Sequence, residues 1–383
     1  MKIFHVFPKY SNKYQPYNKR LISSLKTSSK IEVEIVSLRG YRKDINNITF
    51  VHKDGIFNKL IIFFWGVFFL IKTDIKAFYK LRFRKKVRLY GTYRIVLKNP
   101  NSLFHFHNIH SINKNLLDLL IQRDCKFIVS LRGHDVTILP LIDLEAKNYT
   151  IKVLKHAWKI HSVCESLKND AIALSRVDSN KINVIYRTPN LNDLYPVKNL
   201  DNIVAPINIF TVSRMHWKKC VSESFIAIKD LLDKGFDVHY HVIGDLTNGT
   251  EKEKIIYLRK KLNLEDRITL HGFVKEHDYK LILKKMHICW IPTINEGIPN
   301  TLYFFLKSGF PIIASNTDGI PEVIKHEING LLFKPYDFLD LANKTIYLVN
   351  NSESRVSIQK QARLTVLQEE NNEIKEYERL YLS

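Results

Sequence analysis

Residues 292–323 read PTINEGIPNTLYFFLKSGFPIIASNTDGIPEV, and the order of residue types in this stretch decides the fold. The chain has only 13 glycines in 383 residues, yet Gly297, Gly309 and Gly319 all fall here, where the backbone must turn. The pattern predicts a strand ending near Thr293, a loop through Glu296 and Gly297, and a helix opening over 298–301, since proline suits a first helical turn. Gly309 stops that helix. The apolar run 310–314 reads as a buried strand, followed by a loop and a second proline-opened helix at Pro321. Strand, loop and helix N-terminus in that order suit an anion.

The same alternation extends outward. Upstream, 207–212 reads as a strand and 222–234 as a helix with Phe225, Ile228 and Leu231 on one face and Gly235 as its stop. Strands follow at 238–243 and 268–270, separated by a helix over 252–262. Nearer the N-terminus, strands are expected at 3–7, 31–38, 103–107, 127–131, 161–164 and 184–186, with a helix over 17–26. Strands alternating with helices predict an α/β protein with parallel sheets. Between 194 and 207 the apolar period is lost and two prolines appear, which suits a crossover between two domains. The loop over 8–15 contains no glycine, so no Gly-rich phosphate loop is expected there. Two such sheets would place their loops at the carboxyl ends of the strands, facing each other across a cleft that holds the ligand.

Cys125, Cys164, Cys220 and Cys289 are scattered without a Cys-x-x-Cys pair, which argues against a disulfide frame or zinc site and for a reducing cytosol. The N-terminal MKIFHVF lacks a long apolar region and a small-residue cleavage site, so no signal peptide is expected. The net charge of +21 calls for a partner. Ten basic residues and one acid lie over 72–98, directly after the apolar run LIIFFWGVFFLI at 60–71. Twelve residues are too few to span a bilayer, which takes about 20. They could lie in its interface, with the basic run drawn to anionic headgroups; a buried core helix followed by a solvated basic helix is the other reading. Nucleic-acid binding is a further alternative that a basic patch alone does not carry.

In the second half, four loops come to the strand ends: 213–220 (SRMHWKKC), 244–245, 271–274 (HGFV) and 295–301 (NEGIPNT). Arg214 and Lys219 follow one strand closely, a planar fork and a point charge suited to a diphosphate. No Asp-x-Asp triplet is available for a metal, so leaving-group charge would fall to these cations and to backbone N–H groups near Asn300 and Thr301. His105, His107 and His110 have no accompanying carboxylate, and core or loop histidines are the expectation over metal ligands. No paired general acid and base of the glycosidase kind is visible.

These residues resemble a known family. SRMHWKK, HVIGD, ITLHGFV, the NEGIPNTL stretch, SGFPIIASNTDGIPEVI and NGLLF are similar, in order, to the nucleotide-sugar half of glycosyltransferase family 4, the retaining enzymes of GT-B architecture. The likeness covers 207 to about 349, and is weaker over KIFHVFP, LRGHDV at 131–136, SVCESLKNDAI at 162–172 and KINVIYRTPNLNDLYP at 181–196. It implies two Rossmann-like doubly wound domains, 1–198 for the acceptor and 207–360 for the donor, with 361–383 crossing back as a C-terminal helix. It also implies that Arg214 and Lys219 hold the donor diphosphate and Glu296 contacts the transferred sugar. Gly297, Ile298, Pro299, Asn300 and Thr301 would form a backbone cradle; Gly272, Phe273 and Val274 would line the base pocket. Arg132, Gly133, His134 and Asp135 match the loop facing the donor sugar, with His134 as its nearest imidazole.

Five positions depart from the family pattern, one of them Arg132, which stands where a His is frequent and leaves His134 two residues on as the nearest imidazole. Phe304 stands where the second Glu of the E-x7-E motif grips the ribose, Cys220 and Asp318 stand where glycines are usual, and Ser213 replaces a glycine before Arg214. The expected function is metal-independent transfer, without a cofactor, of a sugar from a nucleotide donor to a lipid-linked or growing surface polysaccharide. It would take place in the cytoplasm on the inner face of the membrane, with peripheral contact through 57–98. The alternative is a catalytically weakened scaffold of a glycan assembly complex.

Overall fold

The computed structural model describes residues 1–10, 16–38, 48–50, 56–73, 83–187, 200–246, 249–368 and 372–383. The chain forms two compact units, Met1–Tyr186 with Glu373–Ser383, and Arg187–Asn372. The expected crossover lies partly over 194–199, and the expected basic run partly over 74–82, outside the described residues.

The first unit holds β1 (Lys2–Phe7), β2 (Glu32–Ser37), β3 (Ile48–Phe50), β4 (Leu103–Phe106), β5 (Phe127–Ser130), β6 (Lys159–Ser162) and β7 (Ile182–Val184). Every pairing in this sheet is parallel, in the order β3-β2-β1-β4-β5-β6-β7. The second unit holds β8 (Ile207–Val212), β9 (Val238–Ile243), β10 (Ile268–Gly272), β11 (Ile288–Ile291), β12 (Ile312–Ser315) and β13 (Leu331–Phe333), paired in parallel as β10-β9-β8-β11-β12-β13. Each order reverses direction after the first strand of its unit, which is the doubly wound arrangement. The reversal opens a crevice outside the carboxyl ends of β1 and β4 in one unit, and of β8 and β11 in the other.

All residues of β4, β5, β11 and β12 are buried, because a parallel sheet is covered on both faces and its central strands read as continuous apolar runs. In the second unit, Trp290, Tyr240, Phe225 and Ile288 form part of one core, with the Trp290 indole N–H donating to Thr345 Oγ1 at 3.1 Å. In the first unit the Asn372–Leu382 helix seals the sheet, its Tyr377, Leu380 and Tyr381 packing with Ile3, Leu21, Leu25 and Leu103.

The expected strands fall within two or three residues of the observed ones. The Asn300–Ser308 helix begins after Pro299 and ends at Gly309, whose φ of 79° lies in the left-handed region that glycine adopts without penalty. The helical segment expected over 361–383 divides: Ser352–Gln368 is a helix of the second unit, and Glu373 onward belongs to the first.

Candidate active site

The loops after β8 and β11 meet at the reversal point of the second sheet. Their seam is knitted by backbone: the Lys218 carbonyl accepts from Ile294 N–H at 2.9 Å and from the Thr293 hydroxyl at 2.8 Å. The Ser315 hydroxyl donates to the Thr293 carbonyl, and the Thr317 hydroxyl to that of Ile294 at 3.2 Å. Buried polar groups tied this way fix the loops against each other. Between them opens a cavity of about 230 Å³ whose lining includes Arg214, Lys219, Glu296, Pro299, Asn300 and Thr301.

Glu296 sits at the centre of the charge. Its carboxylate pairs with Lys219 and lies 3.9 Å from Lys218 Nζ. Burial pushes the Glu296 carboxyl up, but Lys219 and Lys218 together outweigh it and hold the group below the usual carboxylate range. Burial lowers the Lys218 ammonium in spite of Glu296. Asp318 completes the cage: its Oδ2 accepts the Glu296 N–H at 2.6 Å and the Asn295 amide at 3.2 Å.

Asp318 and Cys220, two of the positions where the family resemblance leads one to expect glycine, have φ of 46° and 49°. The left-handed backbone is therefore kept without glycine, at a cost of roughly 1 kcal/mol each. In the loop between Ser315 and the Ile320–Val323 helix the left-handed turn falls on Asp318, whereas Gly319 has φ −81° and an ordinary helical conformation.

Arg214 is exposed at the rim of the cavity. Arg187, the first residue of the second unit, donates to the Asn300 side-chain oxygen and adds to the positive field on Glu296. Arg187 and Lys218 were not singled out from the sequence. Lys218 neighbours Lys219 in the same loop, but a contact between residues 113 apart, as for Arg187 and Asn300, leaves no local trace.

Of the expected donor residues, the structure gathers Arg214, Lys219, Glu296, Pro299, Asn300 and Thr301 around the cavity. Gly297 and Ile298 belong to the same loop but are not part of its lining. Gly272, Phe273 and Val274 also stand apart from it; Gly272 takes φ 66° at the end of β10 and Phe273 is 83% exposed.

The expected Arg132–Asp135 loop lies in the first unit. Gly133 turns at φ 105°, and His134 is exposed at the first position of the His134–Thr137 helix. Arg132 turns inward, its Nε donating to the His107 carbonyl at 2.9 Å, while its backbone N–H donates to Asp135 Oδ1 at 3.1 Å. Burial raises the Asp135 carboxyl despite that bond.

Beneath this loop runs a layer of buried imidazoles. His5 Nδ1 and His107 Nε2 are 2.9 Å apart, and His105 bonds to Tyr381 at 2.7 Å and to Ser130 at 2.8 Å. Ser130 in turn meets His161 at 2.8 Å. His5, His105 and His107 bring ligand atoms within 4.8 Å of one another, whereas His110 is exposed and outside the group. Burial above all lowers these three pKa values, that of His5 to about 3, so the rings are neutral. With Arg132 alongside, no carboxylate in the group and most ring nitrogens already paired, they read as a hydrogen-bonded core layer.

Residues 198–365 match the family model described as "Glycosyl transferases group 1". That stretch of the chain is similar to the group 1 glycosyl transferases. The match spans the whole cavity and the second sheet. The chain is also 25% identical over 278 residues to the amylovoran biosynthesis glycosyltransferase AmsK of Erwinia amylovora, covering 71% of this chain and 67% of that one. It is 25% identical over 215 residues to the N,N'-diacetylbacillosaminyl-diphospho-undecaprenol alpha-1,3-N-acetylgalactosaminyltransferase of Campylobacter jejuni, covering 53% and 54%. Among solved structures, Anabaena HepE in complex with UDP and glucose superposes with a TM-score of 0.71 at 13% identity, over 96% of this chain and 95% of that one. The fold is that of the GT-B glycosyltransferases.

Proposed function

We propose that this protein is a retaining, metal-independent glycosyltransferase of the family 4 type. It moves a sugar from a nucleotide diphosphate donor to a lipid-linked or growing surface polysaccharide, working in the cytoplasm on the inner face of the membrane. The observation that carries the reading is the cavity at the reversal point of the second sheet, lined by Arg214, Lys219, Glu296 and the start of the Asn300–Ser308 helix, with Glu296 paired to Lys219 and Lys218 close behind. The helix N-terminus and the cations suit the donor diphosphate, whose growing negative charge they would stabilise as the glycosidic bond breaks. Glu296, held anionic, would accept hydrogen bonds from hydroxyls of the transferred sugar. In the step itself the acceptor oxygen bonds to the anomeric carbon on the face from which the phosphate leaves. The bond to that phosphate oxygen breaks, and the phosphate takes the acceptor proton.

His134 is assigned to catalysis with Glu296, Arg214 and Lys219; Arg132, Gly133 and Asp135 to the acceptor side or the donor-sugar loop; and Gly272, Phe273 and Val274 to the base. The acceptor class is supported by the amylovoran and diphospho-undecaprenol relatives, and the donor class by the neighbour bound to UDP and glucose. A panel of nucleotide sugars with lipid-linked and polysaccharide acceptors tests the reading. Release of nucleotide diphosphate, retention of the anomeric configuration and indifference to chelators are expected; no turnover and no nucleotide binding would sink it.

Phe304 favours a second reading, a weakened enzyme serving as a scaffold. It lies 6.3 Å from Tyr279, ring to ring, where the family places a ribose-binding Glu. Phe304→Glu separates the two readings: a large gain in donor affinity or rate favours the scaffold, and no gain favours a working site with a different pocket.

A further inference from the structure

The Ile56–Thr73 helix leaves one apolar side uncovered. Leu60, Phe63, Phe64, Phe68 and Ile71 recur at helical spacing, each about half exposed or more, with Phe64 at 68%. The opposite side is fixed against the Phe83–Thr92 helix by a reciprocal pair of glycines. A Cβ on Gly66 would stand 2.0 Å from the Val87 carbonyl oxygen, and one on Gly91 would stand 1.7 Å from that of Ile62. Backbone meets backbone at this crossing, which fixes the orientation of the first helix and leaves its aromatic side outermost.

The exposed charged side chains of the same two helices are all basic. Arg84, Lys85 and Arg88 are exposed on the second helix, and Lys59 and Lys72 at the ends of the first. Lys98 Nζ lies 3.5 Å from the Trp65 ring centroid, so the indole at the edge of the stripe carries a cation as well. Neither 56–73 nor 83–98 contains an acidic residue. A second copy of this face would therefore meet it with like charge, whereas an anionic lipid surface offers an apolar layer beneath a phosphate layer. None of the described helices is long and apolar enough to cross a membrane, so the helix would lie in the plane of the interface.

We infer that the crossed pair Ile56–Thr73 and Phe83–Thr92 is a lipid-docking hairpin. Its aromatic stripe enters the headgroup boundary, and Arg84, Lys85 and Arg88 pair with anionic phospholipid phosphates. The inference rests on the proposed transfer to a lipid-linked acceptor for its purpose, and on exposure and charge for its geometry.

Co-sedimentation of the full chain with vesicles of phosphatidylcholine alone, or mixed with phosphatidylglycerol, tests it. Binding is expected to the mixed vesicles and to weaken with salt. Replacing Phe63, Phe64 and Phe68 together by Ser should cut binding about tenfold or more in a chain that still unfolds cooperatively, since half or more of each side chain is exposed. Each of Arg84→Gln, Lys85→Gln and Arg88→Gln should cost about fivefold. Equal sedimentation of wild type and the triple variant overturns the inference. So does light scattering that shows a wild-type dimer, dispersed by the triple variant, with no affinity for vesicles. Vesicle binding needs no turnover, so the two readings fail separately. Lost vesicle affinity with donor binding intact removes only the docking surface, whereas vesicle binding without donor binding supports the surface and removes only the enzymatic reading.

Discussion

Glu296 is the residue through which the site's electrostatics pass, held anionic by two lysines and fixed at its backbone N–H by Asp318. Glu296→Gln keeps the shape and removes the charge; steady-state assays should show kcat lower by about 10²–10³-fold, the scale of losing one stabilising group in such a site. Lys219→Gln should weaken donor binding by about 10–100-fold in calorimetric titration, as expected for a hydrogen bond to a charged group. Asp318→Ala leaves the Glu296 N–H without its acceptor and keeps a left-handed residue, so chemical denaturation should register a loss of about 1–3 kcal/mol.

That Arg214 and Lys219 stand near the start of the Asn300–Ser308 helix was legible in the sequence because a strand, a short loop and a helix start are local signals, whereas Glu296 was singled out only through the family resemblance. The replacement of glycine at 220 and 318 was legible too. That both positions keep a left-handed backbone was not, because φ is set by the path of the whole loop rather than by the residue alone.

At the scale of elements, the central strands were readable because burial on both faces makes them continuous apolar runs. Ile48–Phe50 and Leu331–Phe333, three residues each, are too short to show any period and were not foreseen. The 60–71 run was ambiguous between a core and an interface helix, since its apolar content is the same in either case. The glycine crossing decides which side is buried, and it joins residues about 25 apart. Gly66→Ala should force the helices apart and cost about 1–3 kcal/mol, with faster hydrogen exchange in both helices. The Asn372–Leu382 helix is tied to the imidazole layer by the Tyr381–His105 bond, and losing that hydroxyl in Tyr381→Phe should cost about 1–3 kcal/mol in denaturant.

For the molecule as a whole, the buried histidines set an acid limit. His5, His105 and His107 have folded pKa values below the ordinary 6.5, so the unfolded chain takes up more protons in acid. Their contribution to stability is fully present above about pH 6.5 and is lost as the pH falls from there toward 3, by up to ~1.4 kcal/mol per pH unit for each ring. Glu296 acts in the same direction below the ordinary carboxylate range. A melting temperature that falls steeply below pH 6 is expected, and one that is flat from pH 7 to 4 contradicts the neutral imidazole layer.

The two doubly wound sheets were legible as alternation. The path by which the chain returns from the second unit to the first was expected only through family resemblance, since nothing local marks where a helix docks.

The central claim is that the second unit binds a nucleotide sugar through Lys219 and its neighbours. Calorimetric titration of wild type and Lys219→Gln with a panel of nucleotide diphosphate sugars tests it most directly. The account predicts that at least one donor binds the wild type and that the variant binds it at least about tenfold more weakly. Failure of every donor to bind, or equal binding by both proteins, would contradict it.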